Sequence, residues 1–448
     1  MRPLFAFFFM LVVGDSLRAS EVLKPPLPQR VLYVGNSGTT RAQAHTKFLE
    51  THFAQVESAD REAFDLTSAS KADVVVLDWS QNDAQTIGRA EFSRPERIPK
   101  SPLGERAGWE KPTVLLGSAG HLLAAPWQVH GGSGCTCLKP FAYGLRAHVI
   151  FTQPIPIERS RMIRRDAPSS WKGFVESTNV SVLPLVQDFV GQHNSGWCTY
   201  VEGPLESPDV EILCGGINDK TPTAAAIWRQ GNLLHFGFDL SPAEMSDDGR
   251  ALLVNSIAYI ATFTEDRPIV RSPSPFAGPA PEPRGRIDRI LKREDLDTVM
   301  YLKGSVASSM LSAADPGKPA AYQIWYDGVR DFVHADENAK LCVDEEARVF
   351  GIPPNKPGFF DGMIAALQGP VKRAELARRL LVRYAPPEGP GLTAPAAIWA
   401  DWWKEHKAFL FFSDVGGYRW YLDPLAKRRG IPTAKLRGPA RADRQFGL

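Results

Sequence analysis

The segment from Thr113 to Ala125, TVLLGSAGHLLAA, sets Ser118 on a turn bounded by Gly117 and Gly120, between an apolar run and a helix-like stretch. A strand that runs through a tight glycine turn into a helix is the device by which many α/β hydrolases expose a nucleophile. A serine hydroxyl is nearly inert at neutral pH unless a base lies within hydrogen-bond reach. His235 is the candidate base, on a hairpin expected where Ala224–Gln230 and Leu233–Phe238 flank Gly231-Asn232. A second polar concentration, Gly35-Asn36-Ser37-Gly38-Thr39-Thr40-Arg41, follows an apolar run. Its small residues leave backbone N–H groups accessible, and Arg41 adds charge. Asn36, Ser37, Thr39 and Arg41 are therefore candidate ligands for a small anion such as phosphate or carboxylate. A helix cap by Ser37 or Thr39 is the alternative. The stretch lacks the Gly-Lys-Ser/Thr ending of a Walker loop, and no cofactor is expected. Asp78 and Asp239 also end apolar runs, so Asn36, Ser118, His121 and Asp239 are expected to share one cleft.

Cysteine usage gives a second constellation. Cys135, Cys137, Cys198 and Cys214 cluster in the first half, with Cys342 alone in the second. Two disulfides are expected, Cys135 and Cys137 each reaching a distant partner, with the connectivity open. A metal site from His130, Cys135 and Cys137 competes. Its H-x4-C-x-C spacing matches no zinc pattern, and no metal is expected. Cys342 is expected to be a buried thiol.

The elements that must position these groups alternate. QRVLYVGN (29–36), ADVVVLDW (72–79) and TVLL (113–116) read as buried parallel strands. Between the first two, Ala42–Phe53 carries Ala44, Phe48, Leu49 and Phe53 on one helical face. Ala147–Phe151 and Ser181–Val190 have strand character. A helix opens at Asp247-Asp248, whose acids suit its N-terminal dipole. The expected fold is α/β, a flavodoxin-like parallel sheet covered on both faces, over 28–265. Six prolines between Pro268 and Pro283 mark a linker (266–285). Beyond it, 286–448 reads as mainly helical. Ile287–Leu311, Ala320–Phe332, Phe359–Leu367, Val371–Tyr384 and Ile398–Phe412 have helical period, and a hairpin is expected about Gly416-Gly417. Trp399, Trp402, Trp403 and Trp420 are core anchors or, alternatively, a sugar platform.

Residues 1–19 combine Arg2, a short apolar run and a small-residue end, the pattern of a secretory signal. The chain is accordingly expected to be secreted or periplasmic, with no transmembrane segment. A net charge of +2 over 448 residues does not point to a nucleic-acid partner for the chain as a whole, and none is expected. The seven Lys/Arg against one acid from Lys427 onward read as a solvated tail.

The order of VLYVGN, VVVLDW, VLLGSAGHLLA and LLHFGFDLSPAEM…LLVNSIAYIATF resembles the class I glutamine amidotransferase-like superfamily, in its ThuA-like branch, over 28–265. The second region is similar to one that accompanies such domains in exported bacterial proteins. That resemblance implies a cysteine on the elbow and a His-x-Glu segment after the last strands. This chain has Ser118 or Ala119 at the first place. Ser241 stands for the histidine, and Glu244 lies two residues late. The expectation is a non-catalytic binding or assembly module for carbohydrate or a small anionic ligand. Two alternatives remain: a hydrolase rebuilt around Ser118 or a metal, and a protein-interaction module in the helical region.

Overall fold

A computed structural model describes residues 26–82, 100–129, 134–172, 175–188, 190–200, 207–271, 284–291, 302–304, 306–313, 319–338 and 340–437. The signal-like segment 1–19, His130, most of the proline-rich linker and the last eleven residues of the tail lie outside them.

Five strands form the parallel half of a large mixed sheet: β1 (Leu27–Gly35), β2 (Phe53–Asp60), β3 (Val74–Trp79), β4 (Thr113–Gly117) and, late in the chain, β12 (Leu233–Phe236). Their spatial order is β2-β1-β3-β4-β12, the flavodoxin-like 2-1-3-4-5 arrangement. The strand pleat sends alternate residues to opposite faces. Val31, Tyr33, Val74, Val76, Val114 and Leu116 meet helices α1 (Thr40–Glu50) and α3 (Asp247–Ile260) on one face. Leu32, Val34, Val75, Leu77 and Leu115 meet α2 (Ala119–Trp127) on the other. With both faces covered, β3, β4 and the second half of β1 are predominantly apolar, which is why they stand out in the sequence, whereas the edge strand β2 buries only Phe53.

The sheet does not end at β12. It continues antiparallel through β11 (Ala224–Gln230), β10 (Val210–Gly216), β6 (Phe141–Tyr143), β8 (Asn179–Pro184) and β7 (Ile163–Asp166). A branch of β9 (Gly196–Tyr200) and β5 (Gly134–Leu138) attaches to β11. The β11–β12 hairpin turns at Gly231-Asn232 as expected, with Gln230 opposite Leu233. Two expectations differ. Phe53 opens β2 rather than closing α1, because Thr51 ends the helix and the chain re-enters the sheet at once. Val149–Phe151 is a single 3-10 turn capped by His148, not a strand.

The second region is mainly helical. Residues 287–311 are interrupted, with helices α4 (Arg284–Leu291) and α5 (Ser308–Ala313), followed by α6 (Pro319–Val329). A hairpin of β13 (Val333–Ala335) and β14 (Leu341–Val343) closes their core. Helices α7 (Glu345–Phe350), α8 (Gly358–Ala366), α9 (Val371–Tyr384) and α10 (Ala396–His406) build another core, on Phe359, Phe360, Leu380, Trp399 and Trp403. The expected terminal hairpin is β15 (Leu410–Ser413) with β16 (Arg419–Leu422), and short helices α11 (Pro424–Arg429) and α12 (Thr433–Arg437) follow. Trp399, Trp403 and Trp420 are buried as core anchors, so these three present no sugar platform. No helix among the described residues is long and apolar enough to cross a membrane.

Candidate functional site

The strand order reverses between β1 and β3, and ligands of open α/β sheets collect outside the carboxyl ends of strands at such a point. Here it is filled by the chain's own charges. Arg41, in the first turn of α1, points its Nε and Nη2 at the two carboxylate oxygens of Asp78, both at 2.8 Å. Its Nη1 lies 2.8 Å from Asp239 Oδ1. The Tyr33 hydroxyl donates to Asp78 at 2.7 Å. Burial works against ionisation of Asp78, but the charge and hydrogen bonds of Arg41, with the Tyr33 bond, outweigh it and hold the carboxyl down to about 2. Asp239 fares differently. Burial raises its carboxyl above the ordinary range, and Arg41 only partly offsets that. Behind Tyr33, the fully buried His45 stacks at 5.4 Å between ring centroids, and burial pushes its imidazole down to about 4. All three guanidinium nitrogens of Arg41 thus face carboxylates of the chain, in the place where the sequence suggests an anion.

The other anion candidates act locally. Thr39 caps α1, accepting from the Ala42 amide at 3.2 Å. Ser37 donates its amide and hydroxyl to Asp60 at 3.0 and 2.7 Å, holding that carboxyl down to about 2. The Asn36 carbonyl accepts from the Thr39 amide and hydroxyl. Beside them, a groove of about 530 Å³ opens between α1 and β2, with Ser37, Gln43, Thr46, Lys47, Glu50 and Ser58 among its lining.

The elbow has the shape that the sequence suggests. Gly117 sits at φ +65°, and a Cβ there would come 2.8 Å from the Trp79 carbonyl, so glycine is required. Ser118 follows, its amide donating to that same carbonyl at 2.8 Å, and α2 starts at the next residue. The Ser118 side chain is buried and its hydroxyl donates to Gln81 Oε1 at 2.8 Å. The Gln81 backbone N–H in turn donates to Asp239 Oδ2 at 2.8 Å. Ser118, Gln81, Asp239, Arg41, Asp78 and Tyr33 therefore form one continuous polar chain across the ends of β4, β12, β3 and β1.

The histidines stand around this chain. His235 is buried under the first turn of α2, stacked on Trp228 at 3.6 Å. A Cβ on Gly120 would lie 2.0 Å from its Nδ1, so the helix rests directly on the ring. His121 stacks on Trp197 at 3.8 Å. Where the resemblance implies a His-x-Glu pair, Ser241 donates its amide to Glu244 at 2.8 Å, and His193 Nδ1 lies 3.9 Å from Glu244. Among the described residues no group of three or more His, Cys, Asp or Glu could hold a metal ion.

The cysteines pair differently from the expectation. Cys135 and Cys137 are bonded to each other, their Cα atoms 5.4 Å apart, while Cys198 and Cys214 are buried thiols. Strand β9 sets Cys198 across from Cys135, whereas β11 sets Ile227 across from Cys214. Cys342 is half-buried, its sulfur 3.1 Å from His334 Nε2. Sequence reasoning missed Tyr33, His45, Gln81 and Trp197. Only His45 left a signal, a histidine on the apolar face of α1 beside Ala42, Phe48 and Leu49.

No protein-family model matches the chain, and no curated protein matches it. Among solved structures, a protein from Thermoplasma acidophilum, provisionally described as a GMP synthase component, aligns at 11% identity and a TM-score of 0.31. The alignment covers 53% of this chain and 96% of that one.

Proposed function

We propose that this chain is an exported, non-catalytic member of the amidotransferase-like group whose sheet region serves as a ligand-binding or assembly module, with carbohydrate as the ligand class. The observation that carries the reading is the partner of Ser118. An amide is not a base in either orientation, so the Gln81 contact orients the hydroxyl without activating it. Arg41, the residue best suited to an anion, is engaged by Asp78 and Asp239. That favours a neutral, hydroxyl-rich ligand over an anionic one. The groove beside α1 supports the same class, since the Gln43 amide and Ser58 hydroxyl line it with donors and acceptors, while the Ser37 and Thr46 hydroxyls, which donate to Asp60 and the Ala42 carbonyl, can accept.

The test uses the full chain and its Ser118→Ala and His235→Gln variants against a panel of ester, amide and glycoside substrates, together with a glycan-binding screen. Supporting results are binding of a neutral glycan, weakened by Gln43→Ala, with no turnover that either site variant abolishes. Turnover lost in Ser118→Ala or His235→Gln, in variants that still fold, overturns the reading.

A further inference from the structure

The cysteine cluster beside the elbow holds more than a static bridge. Strands β5 and β9 are antiparallel, with Cys135 directly opposite Cys198. Residues so placed point to the same face with Cβ atoms about 4.5–5.5 Å apart, close to the roughly 3.5–4.5 Å that a disulfide needs. Both side chains enter the same core cluster, and Cys137 packs at its margin. The Cys198 thiol points at the Cys135 carbonyl, 3.7 Å away. Close approach of the strands is built in, because a Cβ on Gly134 would come 2.0 Å from the Cys198 carbonyl. Three sulfurs therefore share one small region, two of them bonded and the third across the ladder.

We propose that Cys135, Cys137 and Cys198 form a thiol–disulfide exchange site. The Cys198 sulfur gives up its proton and attacks the Cys135 sulfur. A Cys135–Cys198 bond forms, the Cys135–Cys137 bond breaks, and Cys137 leaves as a thiolate that takes up a proton. The number of disulfides is unchanged, so no oxidant or reductant is consumed. Burial pushes the Cys198 thiol up to about 12, which keeps the exchange slow in the resting fold. Its product differs in two ways. The bridge moves from a local loop to a cross-strand link between residues 63 apart, and the half-buried Cys137 becomes the free thiol. The neighbouring Trp197 stacks on His121, three residues past Ser118, so a change at Cys198 reaches the elbow through one ring contact.

The experiment treats the oxidised full chain at pH 8 with N-ethylmaleimide, then denatures it and maps linkages by mass spectrometry without reduction. The expected result is a label on Cys137 together with a peptide linking Cys135 to Cys198. Cys214→Ser behaves as the parent, and Cys198→Ser slows Cys137 labelling about tenfold or more, because the attacking sulfur is gone. In a second arm, Cys137→Ser treated with oxidised glutathione acquires the Cys135–Cys198 bridge. Cys137 labelling at the same rate in Cys198→Ser overturns the proposal, as does a Cys135–Cys137 bridge that stays intact throughout. Two unlinked cysteines in Cys137→Ser overturn it equally. If Cys198→Ser or Cys137→Ser fails to fold, the linkage map of the parent chain decides alone.

Discussion

Replacing His45 by phenylalanine keeps an aromatic ring against Tyr33 and removes an imidazole whose protonation crosses mildly acid pH. In the folded protein the imidazole titrates at about 4, against an ordinary value of 6.5, because burial penalises its cation. The unfolded chain therefore binds the proton first. The stability that neutral His45 allows is complete above pH 6.5 and falls as pH drops toward 4. A difference of about 2.5 pH units corresponds to roughly 3 kcal/mol, lost at about 1.4 kcal/mol per unit. Asp78 and Arg41, the charged neighbours, oppose one another in this shift and remain ionised through the window. Hydrogen exchange read by mass spectrometry on peptides spanning α1 and β3 reports the opening free energy of this region in the intact protein. Between pH 7.5 and 4 the parent protein should lose about 3 kcal/mol more protection than His45→Phe, with the curves parallel above pH 6.5. Parallel curves over the whole range would refute the reasoning, as would an imidazole resonance titrating near 6.5 in the folded state.

Arg41→Ala should destabilise the sheet region by about 3–5 kcal/mol, since it leaves Asp78 and Asp239 buried without their cation. Asp78→Asn in the same chain should recover part of that loss in denaturant titrations. Gly117→Ala should cost about 1–3 kcal/mol from the left-handed backbone and the close Trp79 carbonyl, visible as a lower melting temperature. Ser118→Ala should cost about 1 kcal/mol, the worth of one buried hydrogen bond, and no more. Arg437→Ala should expose residues 264–271 to limited proteolysis, because Arg437 joins buried Asp266 to buried Asp423.

In the parallel half β1, β3 and β4 were legible because strands covered on both faces are predominantly apolar, whereas the edge strand β2, FAQVESAD, is mostly polar and was not. The antiparallel half was legible only at the β11–β12 hairpin and in the strand character of residues 181–184. Elsewhere its strands are short: β5 has five residues with two of them buried, and β7 has four with none buried, so periodicity has no length to act over. The elbow was legible for a conformational reason, since Gly117 serves a positive φ that few residues adopt. The roles of the site residues were less so. Arg41 announced charge, but whether that charge faces a ligand or two carboxylates depends on strands 37 and 198 residues away in the chain. Cysteine spacing misled because Cys135 and Cys137, two residues apart in β5, bond to each other rather than to distant partners.

The two regions are joined through the segment that follows α3. The segment after α3 passes under the β11–β12 turn, where a Cβ on Gly231 would lie 2.1 Å from Arg267. Asp266 there binds Arg229 of β11 and Arg437 of α12, and Arg106 holds the carbonyls of Pro268 and Ile269. Val270 packs with Val415 and Tyr421 of the helical region. All these contacts lie at the amino ends of β4 and β12, whereas Gly117, Ser118 and Asp239 lie at or just beyond the carboxyl ends. A five-residue strand separates the two edges by roughly 15 Å. The helical region therefore braces the sheet from the edge opposite the elbow, through a buried ion cluster that fixes its orientation.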